Sequence, residues 1–128
     1  MRALLDTHAF LWWIADDSRL SRRARETIAD ASNQVLFSAT SAWEIAIKAR
    51  LGRLSIPRDV GRFVTRQVGI NGFLVLPVNL AHALRTYSLP EHHRDPFDRM
   101  LVAQAQVENL VLITGDLALA PYQVRTVW

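Results

Sequence analysis

Four acidic side chains occupy positions from which a folded chain could bring them together. Asp6 directly follows a short apolar run near the start of the chain, and Asp116 closely follows another near its end. Asp98 lies in the first turn of a predicted helix, and Glu44 lies inside a second one. Carboxylates that converge repel one another and partly protonate unless a cation lies between them. The pattern therefore indicates a site for a divalent cation.

The chemistry of such a site follows from its ligands. Ligands that are all oxygen select hard ions, among them Mg²⁺, Mn²⁺ and Ca²⁺. Mg²⁺ commonly binds one or two carboxylates together with substrate phosphates, which suits this set of acids. A bound ion of this kind activates water and stabilises the charge of a phosphoryl displacement. The acids thus favour metal-assisted hydrolysis of a phosphodiester.

Each acid also has a purely structural interpretation. Asp6 and Asp116 are suited to cap the helices or turns that follow them. Asp98 is favourable near the positive end of a helix dipole. Glu44 is spaced to pair with Lys48, one helical turn later. Taken singly, the residues leave both interpretations open.

The elements that must position these acids alternate between strands and helices. Short apolar runs bounded by turn residues predict strands at 3–5, 35–37, 73–76 and 110–113, with a short edge strand at 124–127. Helical periodicity predicts helices after the first strand, from Ser18 or Ser21 to about 31, and at about 41–51, 59–68, 79–87 and 96–107. This alternation predicts an α/β fold of three layers, α/β/α, with a mostly parallel sheet of four or five strands. In such sheets, ligands bind beyond the carboxyl ends of the strands.

Composition predicts one compact domain over residues 1–128. Half of the 128 residues are hydrophobic and 21% are charged, so a core is available and disorder is not expected. The chain has no cysteine, which excludes disulfides and thiolate catalysis and fits a reducing cytoplasm. Asp6 and His8 interrupt the apolar start, so we expect no signal peptide and no membrane span. A net charge of +3 is compatible with a phosphate-rich partner.

Basic and histidine side chains are weaker candidates for the site. We expect His92 and His93 to lie outside it, because adjacent histidines on a loop seldom face one ion. His8 neighbours Asp6 and is a candidate for the edge of the pocket. Four cations are candidates for phosphate contacts: Lys48, Arg50, Arg53 and Arg99. Lys48 and Arg50 are also explained as ordinary solvated charges of a helix.

Three tryptophans have the chemistry to stack on nucleobases. They are Trp12, Trp13 and Trp43. Trp12 and Trp13 are consecutive and cannot both face the same side of a helix. Core packing or a protein interface is therefore the better interpretation for that pair.

The segments around the four acids resemble a PIN-domain ribonuclease, specifically the VapC toxin group of type II toxin–antitoxin systems. They occur in the order and at the separations typical of that group, and the resemblance covers nearly the whole chain. The segments are Leu4-Leu5-Asp6-Thr7-His8, Ser41-Ala42-Trp43-Glu44-Ile45, Asp95-Pro96-Phe97-Asp98-Arg99 with Ala103-Gln104-Ala105, and Thr114-Gly115-Asp116.

The resemblance implies that Asp6, Glu44, Asp98 and Asp116 are both metal ligands and catalytic residues, around one or two Mg²⁺ or Mn²⁺ ions. Thr114 matches a hydroxyl position that holds a water or an acid in place. The implied activity is endonucleolytic hydrolysis of RNA that inhibits translation. The implied partners are RNA, a second copy of the chain and a VapB-type antitoxin that inserts a segment into the acidic pocket.

Three other functions remain to be weighed against this one. A non-catalytic RNA-binding module of the same fold would normally lose one or more of the acids, and this chain keeps all of them. A phosphoacceptor receiver domain needs a lysine after its last strand, but no lysine follows Lys48. A phosphatase with an aspartyl nucleophile needs a second aspartate where His8 stands. Asp95, an additional acid near Asp98, is interpreted as a helix cap in front of Pro96.

Overall fold

A parallel sheet of five strands lies at the centre of the computed structural model, which describes all 128 residues. The strands are β1 (Arg2–Leu5), β2 (Gln34–Ser38), β3 (Leu74–Leu76), β4 (Val111–Ile113) and β5 (Thr126–Val127). Their order is β3-β2-β1-β4-β5, and every neighbouring pair is parallel. The chain therefore starts in the middle of the sheet, builds one side and returns to build the other. The switch point lies between β1 and β4, where Leu4 pairs with Leu112.

Six helices connect the strands, and two single 3₁₀ turns, Thr86–Ser88 and Leu117–Leu119, follow α5 and β4. A side chain caps the start of every α-helix, so that backbone N–H groups at that end find acceptors. The helices are α1 (Thr7–Ile14), α2 (Arg22–Ala29), α3 (Ala39–Arg50), α4 (Val60–Ile70), α5 (Leu80–Arg85) and α6 (Pro96–Glu108).

The core divides into two layers because successive strand residues point to opposite faces of the sheet. Leu5 and Phe37 point toward one layer, where Phe10 and residues of α1 to α4 cover them. Leu4 and Leu36 point toward the other layer, which α6 and the chain after β4 cover. The three-layer α/β/α prediction is confirmed. None of the helices has the length and apolar character needed to cross a bilayer.

The predicted elements are all present, and the differences lie at their ends. Helix α3 begins two residues before the predicted Ser41, because Ser38 Oγ accepts the N–H of Thr40 and caps it there. Helix α4 continues past Gly69 to Ile70. The predicted helix at 79–87 divides into α5 and a 3₁₀ turn. Gly52 follows the end of α3, as predicted, and its φ of +72° is a conformation that favours glycine.

Candidate metal centre

Asp6 lies at the carboxyl end of β1, where it also caps α1. One of its carboxylate oxygens accepts the N–H of Ala9 at 2.7 Å, and the residue is 5% exposed. Burial raises the pKa of Asp6, and a hydrogen bond with the side chain of Thr114 opposes that rise. The predicted cap is confirmed, and one carboxylate oxygen is left beyond it. The carboxylate of Asp6 is therefore buried at the carboxyl end of β1.

Glu44 reaches the same edge from α3 and is almost fully buried. Thr7 Oγ1 donates a hydrogen bond to Glu44 Oε1 at 2.7 Å and lies 2.9 Å from Ser41 Oγ. The other carboxylate oxygen pairs with the ammonium of Lys48, as the spacing predicts. Glu44 is therefore fixed by a hydroxyl from α1 and a cation from its own helix.

Asp98 lies in the first turn of α6 and feels the charges of the other acids. Burial is the largest cause that raises its pKa, to about 7, and the negative charges of Asp95, Glu44 and Asp6 add to it. His93 acts in the opposite direction. The end of β1, helix α3 and helix α6 thus bring their carboxylates within electrostatic range of one another.

Asp116 approaches from the end of β4 and is more exposed than the other three acids. It caps the following 3₁₀ turn by accepting the N–H of Ala118 at 2.9 Å, as predicted. His93 Nε2 lies 3.0 Å from Asp116 Oδ2 and 3.3 Å from Asp98 Oδ2. One ligand atom from each of these three residues lies within 4.8 Å of the others, a spacing that a metal ion could bridge.

His93 lies in the site, although the sequence analysis placed it outside. Its Nδ1 accepts the N–H of Asp95 at 3.0 Å, so the hydrogen-bond network assigns the proton to Nε2, which faces the acids. His92 packs edge-on against Tyr122 instead, with ring centroids 5.1 Å apart. The adjacent histidines do diverge, but one of them faces the carboxylates. Its position just ahead of the Asp95 cap is the signal that could have identified it.

The candidate phosphate-binding cations divide into paired and free residues. The prediction that Arg99 contacts phosphate is wrong, because its guanidinium donates to the carbonyls of Thr86, Leu89 and Pro90. These hydrogen bonds hold the loop before α6 in place. Lys48 is paired with Glu44. Arg50 and Arg53 are exposed near the end of α3 and stay candidates for phosphate contacts.

The tryptophans also separate. The indole of Trp13 donates to Asn71 Oδ1 at 2.9 Å and packs on the core, as expected. Trp43 is 62% exposed beside Glu44 and meets the ring of Phe97 edge-on at 5.1 Å. Trp12 borders a cavity of about 470 Å³ next to the acids, together with His8 as anticipated. The other residues that line this cavity are Asp6, Arg19, Gly115, Asp116 and Trp128.

One atom each of Asp98, Asp116 and His93 lies within 4.8 Å of the others, and Asp6 and Glu44 lie within electrostatic range of Asp98, an arrangement that suits a hard divalent cation. The ligand atoms that the acids offer are carboxylate oxygens, which Mg²⁺ and Mn²⁺ accept, and His93 donates its Nε2–H toward two of these carboxylates. Lys48 and His93 are the only basic side chains paired with them, so negative charge exceeds the positive charge that contacts it. Burial is the main cause of the raised pKa of Asp98, and the charges of the neighbouring acids add to it. A divalent cation would relieve the repulsion and favour the ionised carboxylates.

Comparison with known proteins connects this geometry to a family. The PIN domain family model matches residues 3–123. Ribonuclease VapC22 of Mycobacterium tuberculosis (strain ATCC 25618 / H37Rv) is 30% identical over 135 residues, which covers 98% of this chain and 97% of that protein. Ribonuclease VapC16 of the same organism is 41% identical over 58 residues, which covers 45% of this chain and only 41% of that protein.

Solved structures share the fold. The crystal structure of VapBC2 from Rickettsia felis bound to a DNA fragment from their promoter contains a chain with a TM-score of 0.70 and 11% identity, covering 98% of this chain and 97% of that one. The crystal structure of VapBC-5 from Mycobacterium tuberculosis gives a TM-score of 0.60 and 16% identity, covering 98% and 94%. At these identities the likeness is one of fold.

Proposed function

This chain belongs to the PIN-domain family, in its VapC ribonuclease group, and from that premise we propose that it is a Mg²⁺-dependent endoribonuclease, with Mn²⁺ as a substitute ion. One observation carries the proposal: carboxylates from β1, α3, α6 and β4 converge at the switch point of the sheet. The proposed metal ligands and catalytic residues are Asp6, Glu44, Asp98 and Asp116.

Each residue has a separate task in this mechanism. A bound Mg²⁺ supplies positive charge for the scissile phosphate and makes water easier to deprotonate. Asp6 and Asp98, which are extensively buried, orient that ion at the strand ends. Thr7 and Lys48 hold Glu44 in position. Asp116 is the most accessible of the acids and is therefore best placed to accept a proton from the attacking water.

His93 has a positioning role in the same proposal. Its Nε2–H points between Asp98 and Asp116, which brings both carboxylates toward one point. The backbone N–H of Asp95 fixes the ring from the other side. Asp95 itself caps α6 through the N–H groups of Phe97 and Asp98, so we leave it outside the catalytic set.

The biological role we propose is that of a toxin in a type II toxin–antitoxin pair. The single PIN domain of residues 1–128 would cleave RNA in the cytoplasm and so inhibit translation. A VapB-type antitoxin would neutralise it, and an antitoxin arginine could pair with the acids through charge-assisted hydrogen bonds. We also propose a homodimer, since exposed apolar side chains on β3 and α5, among them Val75, Leu80 and Leu84, offer a surface for one.

The test compares the wild type with Asp98→Asn on labelled transfer RNA and ribosomal RNA, in Mg²⁺, in Mn²⁺ and in EDTA. We expect discrete cleavage by the wild type that EDTA abolishes. Loss of a direct ligand should exceed the effect of losing an outer-shell partner, so we expect Asp98→Asn to reduce cleavage more than about 100-fold.

Asp95→Asn is the matched control, because asparagine also caps helices and the change removes one acid from the same turn. We expect it to keep activity within a few-fold. Cleavage that survives EDTA, or equal cleavage by wild type and Asp98→Asn, would contradict the proposal. No cleavage by folded, metal-loaded, antitoxin-free protein would favour the RNA-binding module instead.

A further inference from the structure

Aromatic side chains that have no role in the proposed metal chemistry line a cavity beside the acids. We call them the aromatic wall, and they are His8, Trp12 and Trp128. The rings of Trp12 and Trp128 have centroids 5.7 Å apart and are inclined by 58°. His8 stacks on Trp12 with centroids 5.3 Å apart and planes only 21° apart. All three rings border the cavity of about 470 Å³ that adjoins Asp6 and Asp116. Aromatic rings therefore line an open space that adjoins two of the proposed catalytic acids.

Gly115 fixes Trp128 in that wall. A Cβ at position 115 would lie 2.6 Å from Cε2 and 2.8 Å from Nε1 of the Trp128 indole, closer than real Cβ contacts allow. The indole thus occupies the space that a side chain would otherwise fill. Gly115 directly precedes Asp116, so this contact sets the distance between the aromatic wall and one of the acids.

Arg19 adds a positive charge to the same cavity. Its guanidinium lies 5.0 Å from the centroid of the Trp12 ring, a cation–π geometry. Asp17 holds it there through Arg19 Nε at 3.1 Å and Nη2 at 2.8 Å. The side chain of Arg19 remains 68% exposed and can meet a ligand that enters from solvent.

We infer that this cavity is a nucleobase subsite, in which Trp128 and the stacked rings of His8 and Trp12 pack against the base of a nucleotide near the scissile phosphate. The inference rests on the proposed ribonuclease function and specifies how that site selects where it cuts. Aromatic side chains bind single-stranded RNA by stacking on bases, since every base has a π face. The cavity shares Asp6 and Asp116 with the acid cluster, so its occupant would lie directly beside the proposed reaction centre. Its volume falls within the range of about 300–1,000 Å³ typical of small-ligand pockets.

The first experiment needs no cleavage. Asp98→Asn protein in EDTA is titrated with adenosine, guanosine, cytidine and uridine, and with ribose as the probe that lacks a base. The readout is the set of indole N–H signals of the four tryptophans, assigned with Trp→Phe variants. We expect at least one nucleoside to shift the signals of Trp12 and Trp128, while ribose shifts neither. Trp43, outside the cavity, serves as the internal reference.

The second experiment measures cleavage by Trp128→Leu and Trp128→Phe in Mg²⁺. Leucine keeps an apolar wall but cannot stack, so we expect KM for RNA to rise about tenfold and the preference at the cleaved position to weaken. Phenylalanine should restore most of the affinity. Gly115→Ala, which displaces the indole, should reproduce the effect of leucine. Tyr87→Leu is the control for aromatic loss, since Tyr87 is 95% exposed and does not line the cavity.

The outcomes separate this inference from the proposed function. Wild-type cleavage together with unmoved Trp12 and Trp128 signals, or with equal shifts by ribose, would overturn the subsite alone. So would a Trp128→Leu variant that is as stable as the wild type and cuts with unchanged KM and preference. Wild type that fails to cleave any RNA would contradict the proposed function, whatever the nucleosides do.

Discussion

Two groups of buried polar side chains in this protein differ in how well they satisfy one another. The first is the acid cluster at the carboxyl edge of the sheet, where carboxylates outnumber the cations that contact them. The second joins β2, α5 and α6. There Gln104 Oε1 accepts from Ser38 Oγ, and His82 Nε2 lies 2.8 Å from Glu108 Oε1. His82 Nδ1 accepts the N–H of Asn79, whose side chain caps α5 in return.

The second group, here called the His82 network, consists of donors matched to acceptors. Gln104 Nε2 completes it by donating to the carbonyl of Pro77 at 3.3 Å. Buried polar groups that are fully satisfied rigidify a core and specify one arrangement of it. The acid cluster lacks such matching, and poorly matched charge at a cleft is typical of a site that awaits a ligand. The contrast assigns stability to the His82 network and chemistry to the acid cluster.

The sharpest way to break this comparison is to remove the centre of the His82 network. Gln104→Leu leaves the fully buried hydroxyl of Ser38 without its acceptor and removes the hydrogen bond to the carbonyl of Pro77. We expect a loss of about 3 kcal/mol in the free energy of unfolding, since each unsatisfied buried group costs about 1–3 kcal/mol. Urea denaturation measures this loss, and cleavage per folded molecule should change little.

Gln106→Leu is the matched control, with the same substitution two residues later on α6. Gln106 is only partly buried, and its partner Arg85 can turn to water when that hydrogen bond is lost. The expected loss is below about 1 kcal/mol. Equal losses for the two variants would mean that the His82 network does not stabilise the fold as argued.

The sequence predicted the acid cluster better than the His82 network, and the reason is physical. Asp6 and Asp116 follow strands, and parallel strands bring their carboxyl ends to one edge, so a local pattern had a global consequence. Gln104 and His82 carry no comparable signal, because their pairing depends on how α5 packs against α6. The orientation of the His93 ring toward the acids could not be predicted from the sequence for the same reason, because it depends on the conformation of the loop formed by residues 89–95.

Arg99 and Trp128 show which side-chain contacts could not be predicted from the sequence. A lone arginine near an acid is compatible with phosphate binding, but the structure satisfies Arg99 with carbonyls of the preceding loop. Trp128 lies at the opposite end of the sequence from Asp6, and it reaches the acid cluster because β5 pairs with β4 and its indole packs on Gly115. Strand and helix positions follow from periodicity, whereas long-range side-chain partners depend on the assembled layers.

Neutralising one member of the acid cluster should stabilise the fold at higher pH, whereas Gln104→Leu in the His82 network destabilises it. The pKa of Asp98 is raised to about 7 in the folded protein, chiefly by burial, from its ordinary value of 3.8. Between these values the folded state binds more protons than the unfolded state, so stability falls as pH rises. Asp98→Asn removes this dependence. In EDTA, we expect the wild type to lose on the order of 2 kcal/mol more than the variant between about pH 5 and pH 8.

Thermal and urea unfolding at several pH values measure that difference. Adding Mg²⁺ should stabilise the wild type at the higher pH and should stabilise Asp98→Asn much less, because the ion favours the ionised carboxylates. Parallel stability curves for the two proteins in EDTA would show that Asp98 is an ordinary acid. The acid cluster would then be no less satisfied than the His82 network.

The smallest expected effect tests how the acid cluster is held in place. Two buried threonines differ in one respect: Thr7 donates to Glu44, whereas the hydroxyl of Thr40 has no partner. Replacing an outer-shell partner typically lowers metal affinity about 10–100-fold, so Thr7→Val should raise the half-saturating Mg²⁺ concentration at least about tenfold. Thr40→Val should leave it unchanged and should not destabilise the fold, because no hydrogen bond is lost. Equal Mg²⁺ requirements in the two variants would mean that Glu44 needs no support from Thr7. If instead only Thr7→Val responds, then the few satisfied contacts within the acid cluster serve to orient its carboxylates rather than to stabilise the fold.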